Sequence, residues 1–145
     1  MRALALALTL SLAACGGTKA YRSDAPKNLV VVSDLHGAKG ALHLHRVLKD
    51  CHTDYLGTVA LDQPRVEVAV DQPTYLVVSF DTSSFLSGSR STTAGTMLTA
   101  WPAARYELAV RYRDSIYSIA LREVERGGRK KELPRLDLGS CRPSG

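Results

Sequence analysis

Strict alternation of apolar and polar residues between frequent turn residues is the feature that most limits what this chain can fold into. Residues 65–70 are the clearest case, with valine at every second position and Arg65 and Glu67 between the valines. Residues two apart share a face of a β-strand, so this pattern is typical of a strand with one buried side. It predicts a fold built from sheets.

The same period continues along the chain between turn signals such as Asp71-Gln72-Pro73 and Gly127-Gly128. It predicts an all-β fold, a small antiparallel β-sandwich or barrel of seven or eight strands. The predicted strands are 29–32, 41–48, 56–61, 65–70, 74–81, 96–101, 105–112 and 115–123, and 131–138 adds a short edge strand limited by Pro134. A helix over 40–51 is the alternative, since Leu44 and Leu48 lie four apart, but we favour a strand there.

Five aromatic residues divide into two groups by their place in this pattern. Tyr106, Tyr112 and Tyr117 fall on predicted buried faces, whereas Tyr75 and Trp101 remain candidates for the surface.

The N-terminus has the features of an export signal. Arg2 is followed by an apolar stretch over 3–12 that is too short to cross a bilayer as a permanent helix. The tetrad Leu12-Ala13-Ala14-Cys15 resembles the lipobox of bacterial lipoproteins. In that family a signal peptidase cuts before the cysteine, which then carries a diacylglycerol and an acylated amino group. The resemblance implies a signal peptide over 1–14 and stable anchoring by several acyl chains on Cys15.

The rest of the chain divides simply under this hypothesis. Residues 15–28 are poor in apolar side chains and predict a flexible tether, and 29–145 predicts a single β domain. In enteric lipoproteins an aspartate after the cysteine retains the protein in the inner membrane. Gly16 stands there, so the resemblance implies an outer-membrane protein facing the periplasm.

Cys51 and Cys141 remain once Cys15 is assigned to the lipid. In an oxidising compartment we expect them to form a disulfide that closes the domain. A loop of about 90 residues would give about 4–5 kcal/mol of stabilisation by restricting the unfolded chain.

All four histidines lie within one short stretch, at His36, His43, His45 and His52. Two imidazoles on one strand face can hold a metal ion, so the cluster indicates a copper or zinc site, with Asp34, Asp50 or Asp54 as a further ligand. The alternative is that His43 and His45 form the solvated face of an edge strand.

Residues 28–37 resemble the first metal-binding block of calcineurin-like metallophosphoesterases, in which a strand delivers an Asp-x-His pair, here Asp34 and His36, to a two-metal site. The later Gly-Asp and Gly-Asn-His blocks of that family do not occur in this sequence. We therefore expect a protein that is not an enzyme, with a hydrolase of this type as the alternative.

The polar stretch 81–96 predicts a long connection that either binds a partner or is a mobile loop held by Phe85. Phe85 and Leu86 are its apolar residues, and Arg90 is suited to bind a carboxylate or phosphate group. The export signal implies a compartment without nucleic acid, and the sequence contains no base-stacking or helix-in-groove motif, so we expect no nucleic-acid partner despite the net charge of +5. The sequence thus predicts a lipid-anchored envelope protein with a binding or structural role and an envelope protein as partner, or else a periplasmic copper- or zinc-binding protein.

Overall fold

The computed structural model describes residues 18–62, 65–84 and 88–143. Cys15, the predicted signal 1–14, Phe85 and Leu86 lie outside them. The strands are β1 (Leu29–Leu35), β2 (Ala38–Val47), β3 (Thr53–Ala60), β4 (Arg65–Val66), β5 (Thr74–Ser84), β6 (Gly88–Leu98), β7 (Tyr106–Arg113), β8 (Ile116–Val124) and β9 (Lys130–Glu132), followed by a 3₁₀ turn, Leu138–Ser140. Within the described residues no helix is long and apolar enough to cross a membrane.

The strands form two sheets, in the orders β4-β1-β7-β8-β9 and β3-β2-β5-β6. This confirms the predicted all-β sandwich. One pairing departs from the antiparallel pattern, because β1 and β7 run parallel over seven residue pairs from Leu29↔Tyr106 to Leu35↔Tyr112. The carboxyl ends of these two strands therefore meet at the same end of the sandwich.

The core lies between the sheets and is built from the alternate residues of each strand. Phe80 and Tyr106 are its largest fully buried side chains. The other members are mainly aliphatic: Leu29, Val31, Leu42, Leu44, Val59, Leu61, Val66, Val68, Leu76, Val78, Ala94, Leu98, Ala100, Leu108, Val110 and Leu121. Tyr106 is buried as predicted, Tyr112 is half-buried, and the prediction for Tyr117 is wrong, since 43% of this residue is exposed.

β2 is a strand, as favoured over the helix, and it lies between β3 and β5. Its register with β3 shifts between Leu44 and His45, so that Leu56 is an extra residue on β3 and Tyr55 lies opposite His45. His43 and His45 share the outer face of this sheet, while Leu42 and Leu44 face the core.

The segment before β1 differs from a free tether. The Tyr21 amide donates to Thr58 O at 2.9 Å, and the Thr58 amide donates to Lys19 O at 2.8 Å. The Tyr21 hydroxyl also donates to Glu67 Oε2 at 2.8 Å. Burial first, and then the neighbouring Glu67, raises the pKa of Tyr21 well above its usual value. Residues 19–21 are therefore docked along the edge of β3.

The predicted disulfide is present, with Cys51 and Cys141 joined at an S–S distance of 2.09 Å. The C-terminal segment before it is not a strand over 131–138: β9 ends at Glu132, and the chain then runs along β6. Arg135 Nε donates to Gly95 O at 2.9 Å, and the Met97 amide donates to Leu136 O at 2.8 Å. This segment covers the second half of the β6 edge.

The prediction of a long connection over 81–96 is wrong. β5 and β6 pair without interruption from Thr74↔Leu98 to Ser84↔Gly88, so the polar stretch forms the outer part of a hairpin. Arg90 lies on β6 opposite Thr82.

Candidate functional site

A cleft of about 630 Å³ opens at the end of the sandwich where β1 and β7 finish. Two hairpins border it, the β5–β6 hairpin of one sheet and the β7–β8 hairpin of the other. Asp114 and Ser115 make the tight turn of the second hairpin with φ of 50° and 66°, which is typical of a two-residue turn between right-twisted strands. The strands predicted over 105–112 and 115–123 are thus joined by this turn, as β7 and β8.

The cleft exists because β5 continues beyond the hydrophobic core. The face that carries Leu76, Val78 and Phe80 in the core continues with Thr82 and Ser84 at the open end. Phe80 is only 1% exposed and is thus the last core residue of its strand. The sheets stay apart past this point, and polar side chains line the space.

Three aromatic rings form the floor of the cleft. The Phe80 ring lies 5.4 Å from that of Tyr117 and 6.3 Å from that of Tyr112, both in tilted arrangements. These spacings are within the range of favourable aromatic pairs. Because Tyr117 is partly exposed, its ring gives a bound molecule an apolar surface on which to stack.

The rim on the β6 side is polar and carries one cation. Arg90 and Thr92 alternate on the face that Ala94 and Thr96 occupy in the core, so both side chains belong to the cleft side of β6. Arg90 is exposed, and its guanidinium can bind a carboxylate in a bidentate geometry. Ser91 and Ser115 add further hydroxyl groups to the rim.

His36 stands at the opposite rim, in the turn between β1 and β2. Its Nε2 lies 2.8 Å from Asp34 Oδ1 and 3.0 Å from a guanidinium nitrogen of Arg113. Nε2 donates to Asp34 when protonated and accepts from Arg113 when not. Arg111 and Arg113 both lie 3.9 Å from Asp34, so cations surround the Asp-x-His pair that resembles a metal-binding block.

The four histidines are not brought together. His36 and His52 lie at opposite ends of the ten-residue β2, which places them about 30 Å apart. Both ring nitrogens of His43 form hydrogen bonds with hydroxyl groups, Nδ1 with Thr58 Oγ1 at 2.9 Å and Nε2 with Ser79 Oγ at 3.0 Å. Among the described residues, no group of three or more His, Cys, Asp or Glu is placed to hold a metal ion. Among these residues, therefore, neither His36 nor His52 completes the predicted metal site with His43 and His45.

His45 and His52 have separate surroundings. The His45 ring lies 5.2 Å from that of Tyr55, and burial, followed by the nearby His43, lowers the pKa of His45. His52 is exposed and pairs with Asp50 at 2.9 Å. The hydrogen bond from the His52 amide is the main cause of a lowered pKa at Asp50.

Of the predicted site residues, the structure places His36 and Arg90 in the cleft. The roles of Thr82, Tyr112 and Tyr117 in the cleft were not predicted from the sequence. The available signal was that no glycine or proline separates the alternating residues 74–80 from the hydroxyl residues 82–84.

Neither a protein-family model, a curated protein nor a solved structure matches this chain. The cleft and the lipobox-like tetrad are thus the two features that bear on its function.

Proposed function

We propose that this is a lipid-anchored protein of the bacterial cell envelope that binds an extended segment of a partner protein at the cleft. The signal 1–14 is removed, Cys15 is acylated, and the domain faces the periplasm from the outer membrane. Its role is binding rather than catalysis. The lipobox-like tetrad supports the anchor, and the cleft supports the binding role.

The uncovered half of an edge strand is the observation that carries the proposal for a protein partner. β6 is the last strand of its sheet, and 135–136 cover it only from Gly95 to Met97. Within the described ranges no strand pairs with the outer side of 88–93. Sheet edges of this kind accept an added strand, which gains main-chain hydrogen bonds.

The side chains beside this edge indicate which segment fits. An added strand places alternate side chains towards the space between the two hairpins. An apolar or aromatic side chain would stack on Tyr117, and an acidic one would pair with Arg90. The hydroxyls of the rim would bind polar groups between them. An extended segment with an aromatic residue near a carboxylate meets these requirements.

Site-specific photocrosslinking in intact cells tests this proposal. A photoreactive residue at Ser91, on the exposed part of β6, should give one dominant protein adduct. The matched control is the same residue at Ser118, which is exposed on the outer face of the other sheet. Arg90→Glu should abolish the Ser91 adduct, whereas Arg90→Lys should retain part of it. An adduct of equal yield from Ser118, or one unaffected by Arg90→Glu, would contradict the proposal.

Labelling with radioactive palmitate tests the anchor separately. The parent protein should incorporate the label and fractionate with membranes, and Cys15→Ser should do neither. Equal membrane fractionation of the two proteins would contradict lipid anchoring without affecting the cleft.

A further inference from the structure

An apolar surface lies at the end of the sandwich opposite the cleft. Trp101 is 63% exposed and Val70 is 41% exposed, and the two are neighbours because Val70 forms a β-bridge with Ala100, the residue before Trp101. Together with Pro26 and Ala104 they border a depression of about 380 Å³. A large aromatic side chain exposed beside other apolar residues marks an interaction site. We call this surface the Trp101 end.

Charged side chains of both signs surround the Trp101 end, and the basic ones are the more exposed within the depression. Lys27 and Arg105 line the same depression, and both are exposed. The Val124 amide donates to Arg105 O at 2.8 Å, which brings the following turn with Arg126 to this end. Two carboxylates lie close by: Glu67 lines the same depression, half-buried and hydrogen-bonded to Tyr21, and Asp71 follows Val70.

The N-terminal part of the described chain also comes from the direction of the Trp101 end. Ala20 pairs with Thr58 in a parallel bridge, so the chain before it points towards Thr53, the first residue of β3. That end of β3 pairs with the last residue of β2, at the same end of the sandwich as Thr74 and Leu98. Lys19 accordingly lines a depression together with Gln72 and Thr74.

The chain length between Cys15 and the docked segment limits how far the domain can move from its anchor. Only Gly16 and Gly17 lie between Cys15 and Thr18, and the three Cα–Cα steps from Cys15 to Thr18 span at most about 11 Å in a fully extended chain. Hydrogen bonds then fix Lys19 and Tyr21 to β3. An acyl chain on Cys15 would therefore hold the Trp101 end close to the lipid headgroups.

We propose that the Trp101 end rests on the anionic lipid surface that carries the acylated Cys15, and that the cleft points away from it. Tryptophan prefers the boundary between headgroups and acyl chains, and Lys27 and Arg105 are placed to contact lipid phosphates. This inference rests on the lipid anchor of the proposed function. It adds an orientation, because the opposite end is then free to meet a partner.

The fluorescence of Trp101 tests this orientation directly, since it is the only tryptophan in the chain. The acylated mature protein, residues 15–145, is reconstituted into vesicles of phosphatidylethanolamine and phosphatidylglycerol. Compared with the Cys15→Ser chain mixed with the same vesicles, its emission should shift to the blue and lose most of its quenching by aqueous acrylamide. Lipids brominated near the headgroup should quench it.

A second probe reports on the far end. In a chain with Trp101→Phe and Tyr117→Trp, the new indole should remain accessible to acrylamide and insensitive to brominated lipids. Equal exposure of Trp101 in the reconstituted protein and in Cys15→Ser would overturn the inference, as would lipid quenching of the probe at 117. If palmitate labels Cys15 but Trp101 stays in water, the anchor stands and only the orientation fails. If palmitate does not enter Cys15, the anchor and the orientation both fail.

Discussion

Glu107 accepts a hydrogen bond from Lys130 Nζ at 2.5 Å, and this pair joins β7 to β9 across the outer face of its sheet. Arg122, on the strand between them, donates to the other carboxylate oxygen at 3.1 Å. Glu107 is only 7% exposed, so these two cations compensate a carboxylate that has lost most of its water.

Glu107→Gln should lower the free energy of unfolding at pH 7 by about 1–2 kcal/mol, because two charge-assisted hydrogen bonds become weaker. The hydrogen bond from Lys130 is the main cause of the lowered pKa of Glu107. A carboxyl with a lowered pKa in the folded chain stabilises the fold above its ordinary value of 4.5, and this stabilisation is lost as the pH falls further. The deficit of the variant should therefore shrink between pH 7 and pH 3 in urea denaturation.

Glu132→Gln is the matched control, since Glu132 is 3.9 Å from Arg122 and its side chain is 70% exposed. Its effect should stay below about 0.5 kcal/mol. A deficit at Glu107→Gln that stays the same at both pH values would contradict the role given to its charge.

The fold was predictable where one face of a strand is buried and the other is exposed to solvent. Residues 65–70 show the limit of this signal. Their alternation correctly places Val66 and Val68 in the core, yet β4 pairs only over Arg65–Val66. The backbone of Val68 instead pairs with the side chain of Asn28. The Asn28 amide oxygen accepts from the Val68 N–H at 2.7 Å, and the Asn28 amide nitrogen donates to the Val68 carbonyl at 2.8 Å. The alternation of apolar and polar residues therefore predicts which side chains are buried. It does not predict which backbone groups form strand pairs, because these depend on partners far away in the sequence.

The cleft was harder to predict for a related reason. The outer part of the β5–β6 hairpin extends past the core, so both of its faces are polar and the alternation disappears from the sequence. Ser and Thr there resemble a loop in composition, although they pair as strands. Tyr117 has the correct period for a buried face but lies where the sheets open. No local pattern distinguishes these positions from core positions.

The disulfide should account for a large part of the stability of this domain. Cys51 and Cys141 are 90 residues apart, and closing a loop of that length restricts the unfolded chain by up to about 4–5 kcal/mol. The Cys51→Ser, Cys141→Ser chain should lose stability of this order in urea denaturation, and reduction of the parent should reproduce the loss. A change below about 1 kcal/mol would show that the C-terminal segment is held by its contacts with β6 alone.

Gly57 is needed for the docking of the N-terminal segment. A Cβ at this position would lie 2.6 Å from Tyr21 Cα, and the φ of +152° is one that other residues rarely adopt. Gly57→Ala should therefore release residues 19–21 and cost about 1–3 kcal/mol. Hydrogen exchange should show faster exchange at the Tyr21 and Thr58 amides. Gly139→Ala is the control, since a Cβ there meets nothing within 4 Å. Unchanged protection of Tyr21 would contradict this packing.

His45 should make the fold less stable in mild acid. Burial, then repulsion from His43, lowers its pKa below the ordinary 6.5 in the folded chain. The unfolded chain binds a proton more readily, so stability is complete above pH 6.5 and falls as the pH decreases through the lowered pKa. The free energy of unfolding should be smaller at pH 5.5 than at pH 7.5, and His45→Gln should reduce this difference. His52→Gln is the control: His52 is exposed, so this variant should keep the part of the pH dependence that comes from His45. If His45→Gln keeps the full pH dependence, the burial of its ring between Tyr55 and Tyr75 does not control its protonation.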